Sequence, residues 1–428
     1  MTNSREIAAH ILTDIYLNFQ FLENLISKNR DFNRLDYRDK AFVRLIILNT
    51  LRRNGQIQVI IDEFIRKPLK KKDAFILNLI RISICQILFL NVKEYSVVNT
   101  AVQISKNHNR DKFVNGVLRN ICRNKTAILN KTTVESNIPD WIKKNILKSF
   151  GHKQFIKIAK NISKEPLVDI KIKKNHCVTK NWEKILNGKF ISSEIIRLKN
   201  DGPIDKKPFF DKGFWWVQSL SATLPVNIIS SIFKKSQNSG ISVLDIGAAP
   251  GGKTCQLLEE GFDVTSLEIS QRRTKRLKEN LKRLNYKTKI LNKDLLHFKT
   301  NKLFDCILID APCTASGLIQ KKPEILIMNK SVNLDKLALK QKSILEKSMS
   351  LVKKGGYILY CVCSIHSREG IDLIQNFLKN NSNFEINFID DQISKLGRVI
   401  KGTLFVMPDN EKFENGMDGF FIALLKKK

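Results

Sequence analysis

The chain has 428 residues and a formal net charge of +33, from 74 Lys and Arg against 41 Asp and Glu. Its length gives a prior of about two to three domains and a core that needs no disulfide or metal staple. At 43% hydrophobic and 27% charged residues global disorder is excluded, and the cationic excess points to a polyanion, either nucleic acid or an anionic membrane surface, rather than a small acidic partner.

The charge is uneven. Residues 1–200 hold 38 basic and 17 acidic side chains, and residues 201–428 hold 36 and 24. The richness in Lys, Asn and Ile also fits an AT-rich coding bias, which leaves nucleic-acid binding open. No apolar run follows Met1-Thr2-Asn3-Ser4-Arg5-Glu6, so no secretion signal is expected. The most apolar stretch, 75–90, is interrupted by Asn78 and Arg81 and is too short to span a bilayer. None of the 8 Cys forms a CxxC pair, so no metal site is expected and the thiols should be reduced, in a cytoplasmic protein.

In chain order, residues 1–130 read as helix. Ile7, Ile11 and Ile15 share one face, as do Ile57, Ile60, Ile61 and Phe64, and a longer apolar helix covers 74–90. Further helices are expected near 97–106 and 112–122, giving an all-α bundle. Residues 139–215 read as a small α/β segment, with strands at 167–172 and 195–198 and a short helix at 182–186. From Ile241 strands and helices alternate. Strands at 241–246, 264–267, 288–291, 304–309 and 357–362 predict a doubly wound parallel sheet with its ligands at the strand C-termini. A last strand is expected at 419–425.

The first of these strands ends in Gly247-Ala248-Ala249-Pro250-Gly251-Gly252-Lys253-Thr254, which fits the phosphate-loop spacing GxxxxGK[ST]. An ATPase is one reading. Pro250 counts against it, because proline removes a backbone donor that a phosphate cradle needs. S-adenosylmethionine is the other reading. It needs a close-approach glycine turn and acids for its ammonium and hydroxyls. Glu268, Asp294 and Asp310 follow strands two, three and four and would supply them.

Two thiols narrow the reaction. Cys313 follows Asp310-Ala311-Pro312, and Cys363 follows the fifth strand, so both should reach one crevice. Carbon 5 of cytosine is too weak a nucleophile to take a methyl group directly. A thiolate adding to carbon 6 makes it enamine-like. An acid such as Asp310 at N3 would assist that addition. A non-catalytic RNA-binding assembly factor is the remaining alternative.

Asp310-Ala311-Pro312-Cys313-Thr314-Ala315-Ser316-Gly317, with Lys322-Pro323-Glu324, resembles the DAPCSATG…HPD stretch of bacterial RNA cytosine-5 methyltransferases. Gly247–Thr254 resembles their CAAPGGKT loop, Cys361–Ser364 their ATCS motif and Asp418-Gly419-Phe420-Phe421 their closing strand. Residues 35–40 and 114–119 are similar to the antitermination factor NusB. Together these resemble the family of ribosomal RNA small subunit methyltransferase B (Sun/Fmu).

That resemblance implies a NusB-like helical RNA-binding domain over 1–130, a small α/β RNA-binding or linking subdomain over 139–215, and a Rossmann-like S-adenosyl-L-methionine-dependent methyltransferase domain over 216–428. It implies that Cys363 attacks the base and Cys313 assists release, with Asp310 a third catalytic residue. The cofactor contacts it implies are Gly247, Ala248, Ala249, Pro250, Gly251, Gly252, Lys253, Glu268, Asp294 and Asp310. The expected partner is small-subunit (16S) ribosomal RNA, bound by a monomer without metal or membrane. Gly370 departs from the family pattern, which has Asn there.

Overall fold

The computed structural model describes residues 3–199, 202–233, 240–328 and 331–428, with only the backbone described at 331–333. It forms two compact units, Met1–Lys164 with Ile319–Asn329, and Glu165–Leu318 with Lys330–Lys428.

The first unit is helical. Its axis is the helix Ala74–Leu88, rich in apolar residues and buried along nearly its whole length, Asn78 and Arg81 included. Such a helix is stable only if other helices cover every face. Ser4–Asn18, Tyr37–Arg52, Asn54–Phe64, Glu94–Lys106 and Asp111–Arg123 provide that cover. Two starts are capped by side chains, Asn3 accepting the Arg5 N–H and Asp36 that of Asp39. Helices Asp140–Phe150 and His152–Ile162 carry the unit past the boundary near 130 expected from the sequence.

The unit also takes in a strap from far along the chain, Ile319–Asn329. The Gln320 carbonyl accepts from Arg52 Nε at 3.1 Å. The Glu324 carboxylate accepts the Leu22 N–H at 3.2 Å. Ile325 and Leu326 are buried.

The second unit opens with a small antiparallel sheet of β1 (Val168–Ile172), β2 (Gly188–Phe190), β3 (Ile195–Leu198) and β4 (Trp215–Val217), in the order β2-β3-β1-β4. Trp182 and Trp215 fill its core. Trp216 points the other way, into a cluster with Ala248, Ala249 and Leu277. Alternation along β4 therefore makes both tryptophans packing residues.

The large sheet is built from β5 (Ser242–Ile246), β6 (Asp263–Leu267), β7 (Lys289–Leu291), β8 (Phe304–Asp310), β9 (Val352–Val362), β10 (Phe384–Ile386), β11 (Arg398–Ile400), β12 (Thr403–Val406) and β13 (Phe420–Lys427). Its order is β11-β12-β13-β9-β8-β5-β6-β7, with β10 also on β13. The pairs among β9, β8, β5, β6 and β7 are parallel. Beyond β9 the sheet is antiparallel, so it is mixed and not parallel throughout as the alternating pattern suggested. The reason is local: the stretch from 407 to 419 returns to β13 without a crossover helix, so that strand enters from the opposite end.

Register sets the site. Ile246 lies beside Leu267 and Ile309, and Asp310 lies beside Cys361. The C-terminal ends of the parallel strands are thus level. The chain runs outward from β5 to β7, then crosses back to β8. The gap between β5 and β8 is the switch point where open α/β sheets bind ligands.

Candidate active site

A cleft of about 260 Å³ opens at that switch point. Gly247, Glu268, Asp294, Asp310, Cys313 and Cys363 all line it, although they leave five different strands. The aligned C-terminal ends bring them together.

Gly247 has φ +77°, and a Cβ there would sit 2.4 Å from the Asp310 carbonyl oxygen, so only glycine fits the turn. The N–H groups of Gly247 and Ala248 donate to the Leu267 carbonyl, and that of Ala249 to the Glu268 carboxylate. Pro250 has none. Lys253 Nζ donates to Asp310 Oδ2 at 2.8 Å, and the Thr254 hydroxyl to Asp245 at 2.6 Å. The Lys253 amine and the Thr254 hydroxyl, which a phosphate loop would direct at a nucleotide and its metal, are engaged within the protein, which disfavours the ATPase reading. Ala248, Ala249, Pro250, Gly251, Gly252 and Lys253 build the turn and do not line the cleft.

Glu268 is buried. It accepts the Ser270 N–H at 3.0 Å and pairs with Arg273 at 3.3 Å. Asp294 caps the short turn after it through the Leu296 N–H. The two carboxylates leave the ends of β6 and β7. For Lys253, burial favours the neutral amine, but the Asp310 carboxylate outweighs it and holds the pKa above the ordinary value.

Cys313 Sγ and Cys363 Sγ are 3.4 Å apart. The hydrogen bond with Cys363, then burial, push the Cys313 thiol pKa well above its usual value, so Cys313 holds its proton at neutral pH. Cys361 shares the face of Cys363, as alternation requires, but lies sealed in the core, and burial raises its pKa well above normal. Gly370 follows from packing, since a Cβ there would meet the Phe421 ring at 2.8 Å.

Sequence reading missed Glu369. It is buried, and its carboxylate collects Thr314, Ser364 and Gln341. Lys340 and Arg273, on the cleft wall, were missed as well. No motif marks them. The one available signal was an acid five residues beyond Ser364, where the strand has already ended.

Asp245 has a measurable consequence. Burial pushes its carboxyl up to about 6, against the opposing Thr254 hydrogen bond. A raised folded-state pKa gives stability that is full below about 3.9, the unfolded value, and lost as pH climbs through about 6. Asp245→Asn removes the titration. We expect it to stabilise the protein by about 1–3 kcal/mol at pH 8 and far less at pH 4.5. Urea unfolding at the two pH values measures this, and an equal change at both would refute it.

Among the described residues no group of His, Cys, Asp and Glu is arranged to hold a metal ion, and no helix is long and apolar enough to cross a membrane.

Residues 232–426 match a family described as 16S rRNA methyltransferase RsmB/F, and residues 2–123 match the NusB family. Ribosomal RNA small subunit methyltransferase B of Photorhabdus laumondii is 29% identical, over 100% of this chain and 99% of its own length. The protein of the same name from Salmonella paratyphi B is 27% identical with the same coverage. The crystal structure of PH0851 superposes with TM-score 0.74 at 21% identity, covering 100% of this chain and 99% of its own. NSun6 from Pyrococcus horikoshii, solved with SFG, gives TM-score 0.58 at 17% identity, covering 68% and 98%.

Proposed function

We propose, from the match of residues 232–426 to the 16S rRNA methyltransferase RsmB/F family and of residues 2–123 to the NusB family, that this chain methylates carbon 5 of a cytosine in small-subunit ribosomal RNA through a covalent cysteine adduct. The observation that carries the reading is the thiol pair, 3.4 Å apart in a cleft that Asp310 also lines. Methyl transfer to an amino group has no use for two thiols.

S-adenosylmethionine supplies the methyl group. Glu268 and Asp294 hold the cofactor side of the cleft, and Gly247 lets the backbone approach it. The target base leaves its stack to enter. The Asp310 carboxylate, held by the Lys253 ammonium, takes the proton of the Cys363 thiol and delivers it to N3 as the sulfur adds to carbon 6. Carbon 5, now enamine-like, takes the methyl group. Water then takes the carbon 5 proton, the C6–S bond breaks with its electron pair on sulfur, and N3 gives its proton back through Asp310. Cys313, still carrying its proton, hydrogen-bonds that departing sulfur.

The helical unit and the small sheet supply phosphate contacts through their Lys and Arg side chains, so RNA affinity should fall steeply with salt. The test is transfer of labelled methyl from S-adenosylmethionine to naked small-subunit RNA, followed by nucleoside analysis. Label at cytosine carbon 5 is expected. Label on a base nitrogen or a ribose oxygen, or RNA binding with no label at all, would reject the proposal. The last result would favour an inert assembly factor.

A further inference from the structure

Four donors converge on the buried carboxylate of Glu369. Oε1 accepts the Thr314 N–H at 2.8 Å and Gln341 Nε2 at 3.1 Å. Oε2 accepts the Thr314 hydroxyl at 2.5 Å and the Ser364 hydroxyl at 2.6 Å. Thr314 is the residue after Cys313, and Ser364 is the residue after Cys363. Glu369 does not line the cleft.

We infer that Glu369 is a positioning residue that sets the approach of the two thiols by gripping the first residue beyond each. The inference rests on the proposed cysteine chemistry. Both thiols sit where regular structure has stopped, Cys313 in an irregular loop and Cys363 just past β9. Ladder hydrogen bonds therefore do not fix their spacing. The Gly317 N–H bond to the Cys363 carbonyl at 3.1 Å, and Ser316 Oγ at 2.8 Å from Ser364 Oγ, lace the loops further out. Glu369 joins them at the residues next to sulfur. Gln341 braces the same point from its helix, donating to the Pro312 carbonyl at 2.9 Å as well. A displacement of about 1 Å between reacting groups costs on the order of a hundredfold in rate, so such a grip is enough to govern turnover.

The donor set separates positioning from charge. The Thr314 N–H and the Gln341 amide can only donate here, whereas the two hydroxyls can donate or accept. In Glu369→Gln the new amide can turn its oxygen to the first pair and its NH2 to the hydroxyls, keeping the grip without the charge. Glu369→Ala keeps neither.

The experiment reads thiol spacing apart from methylation. All variants carry Cys361→Ala, since Cys361 lies two residues from Cys363 and would blur peptide mapping. Diamide takes two electrons and two protons from a thiol pair, forming one S–S bond and becoming the hydrazine. The rate of the Cys313–Cys363 linkage is followed by mass spectrometry, beside kcat and KM. For Glu369→Ala we expect linkage about tenfold slower and kcat about a hundredfold lower, with KM for RNA within a few-fold. Glu369→Gln should stay within about threefold of the parent in both. Gln341→Met, a milder lesion should Glu369→Ala not fold, should slow both in step. Linkage at the parent rate in Glu369→Ala or Gln341→Met would overturn the inference. So would Glu369→Gln losing kcat as Ala does while its linkage rate stays normal, since the charge would then be what matters. A parent that links its thiols but transfers no methyl refutes the proposed function, and the linkage rates still decide the role of Glu369.

Discussion

Cys363→Ala is expected to lose methyl transfer by roughly 10⁴-fold or more, because the proposed nucleophile is gone and Cys313, the other thiol of the cleft, leaves a different strand. Cys313→Ala should behave differently. Cys363 still attacks and carbon 5 is still methylated, but release of the sulfur is unassisted. Turnover should fall about a hundredfold, and an RNA–protein adduct stable to denaturing gel electrophoresis should accumulate. The asymmetry has a physical basis. The two sulfurs share one hydrogen bond, so once Cys363 is bonded to carbon 6 the proton rests on Cys313, which suits a donor to a leaving sulfur. Adduct trapping in Cys363→Ala with rapid turnover in Cys313→Ala would reverse the roles. Cys361→Ala is the control: sealed in the core, it should leave the rate unchanged.

What could be read before the structure follows from how each feature is encoded. Strands β5, β6 and β8 are short apolar runs, and each ends in glycine or acid, so the crevice and its residues were legible from sequence. Cys313 and Cys363 carry a local signature in their neighbours. Glu369 carries none. Its meaning lies in four donor groups of three residues brought from separate stretches of chain, and no one-dimensional pattern records that convergence. The strap is a similar case. The segment 319–328 falls inside the 216–428 span expected for the methyltransferase domain, yet Ile325 and Leu326 are buried and Gln320 meets Arg52 in the helical unit. The antiparallel entry of β13 was hidden because an eight-residue apolar strand looks the same from either direction.

Asp310→Asn should separate chemistry from cofactor binding. Asp310 lines the cleft on the side of the thiols and holds Lys253 at 2.8 Å. An asparagine there can still hydrogen-bond to N3 but cannot carry the thiol proton to it as charge develops on the ring, so turnover should fall about 10²–10³-fold, or roughly 3–4 kcal/mol of barrier. Affinity for S-adenosylmethionine should change by less than about tenfold, because Glu268 and Asp294 lie on other strands and keep their partners. The neighbour responds too. Without the carboxylate that outweighed its burial, the Lys253 ammonium loses the interaction holding its pKa up, and its pKa falls. Residual activity of Asp310→Asn should therefore decline at lower pH than in the parent if the Lys253 cation still supports the reaction. Calorimetric titration of the cofactor, with a pH profile of kcat, tests both statements. A variant with near-parent kcat and tenfold or greater loss of cofactor affinity would move Asp310 from the base to the methyl donor, and leave the Lys253 ammonium as the group that meets N3.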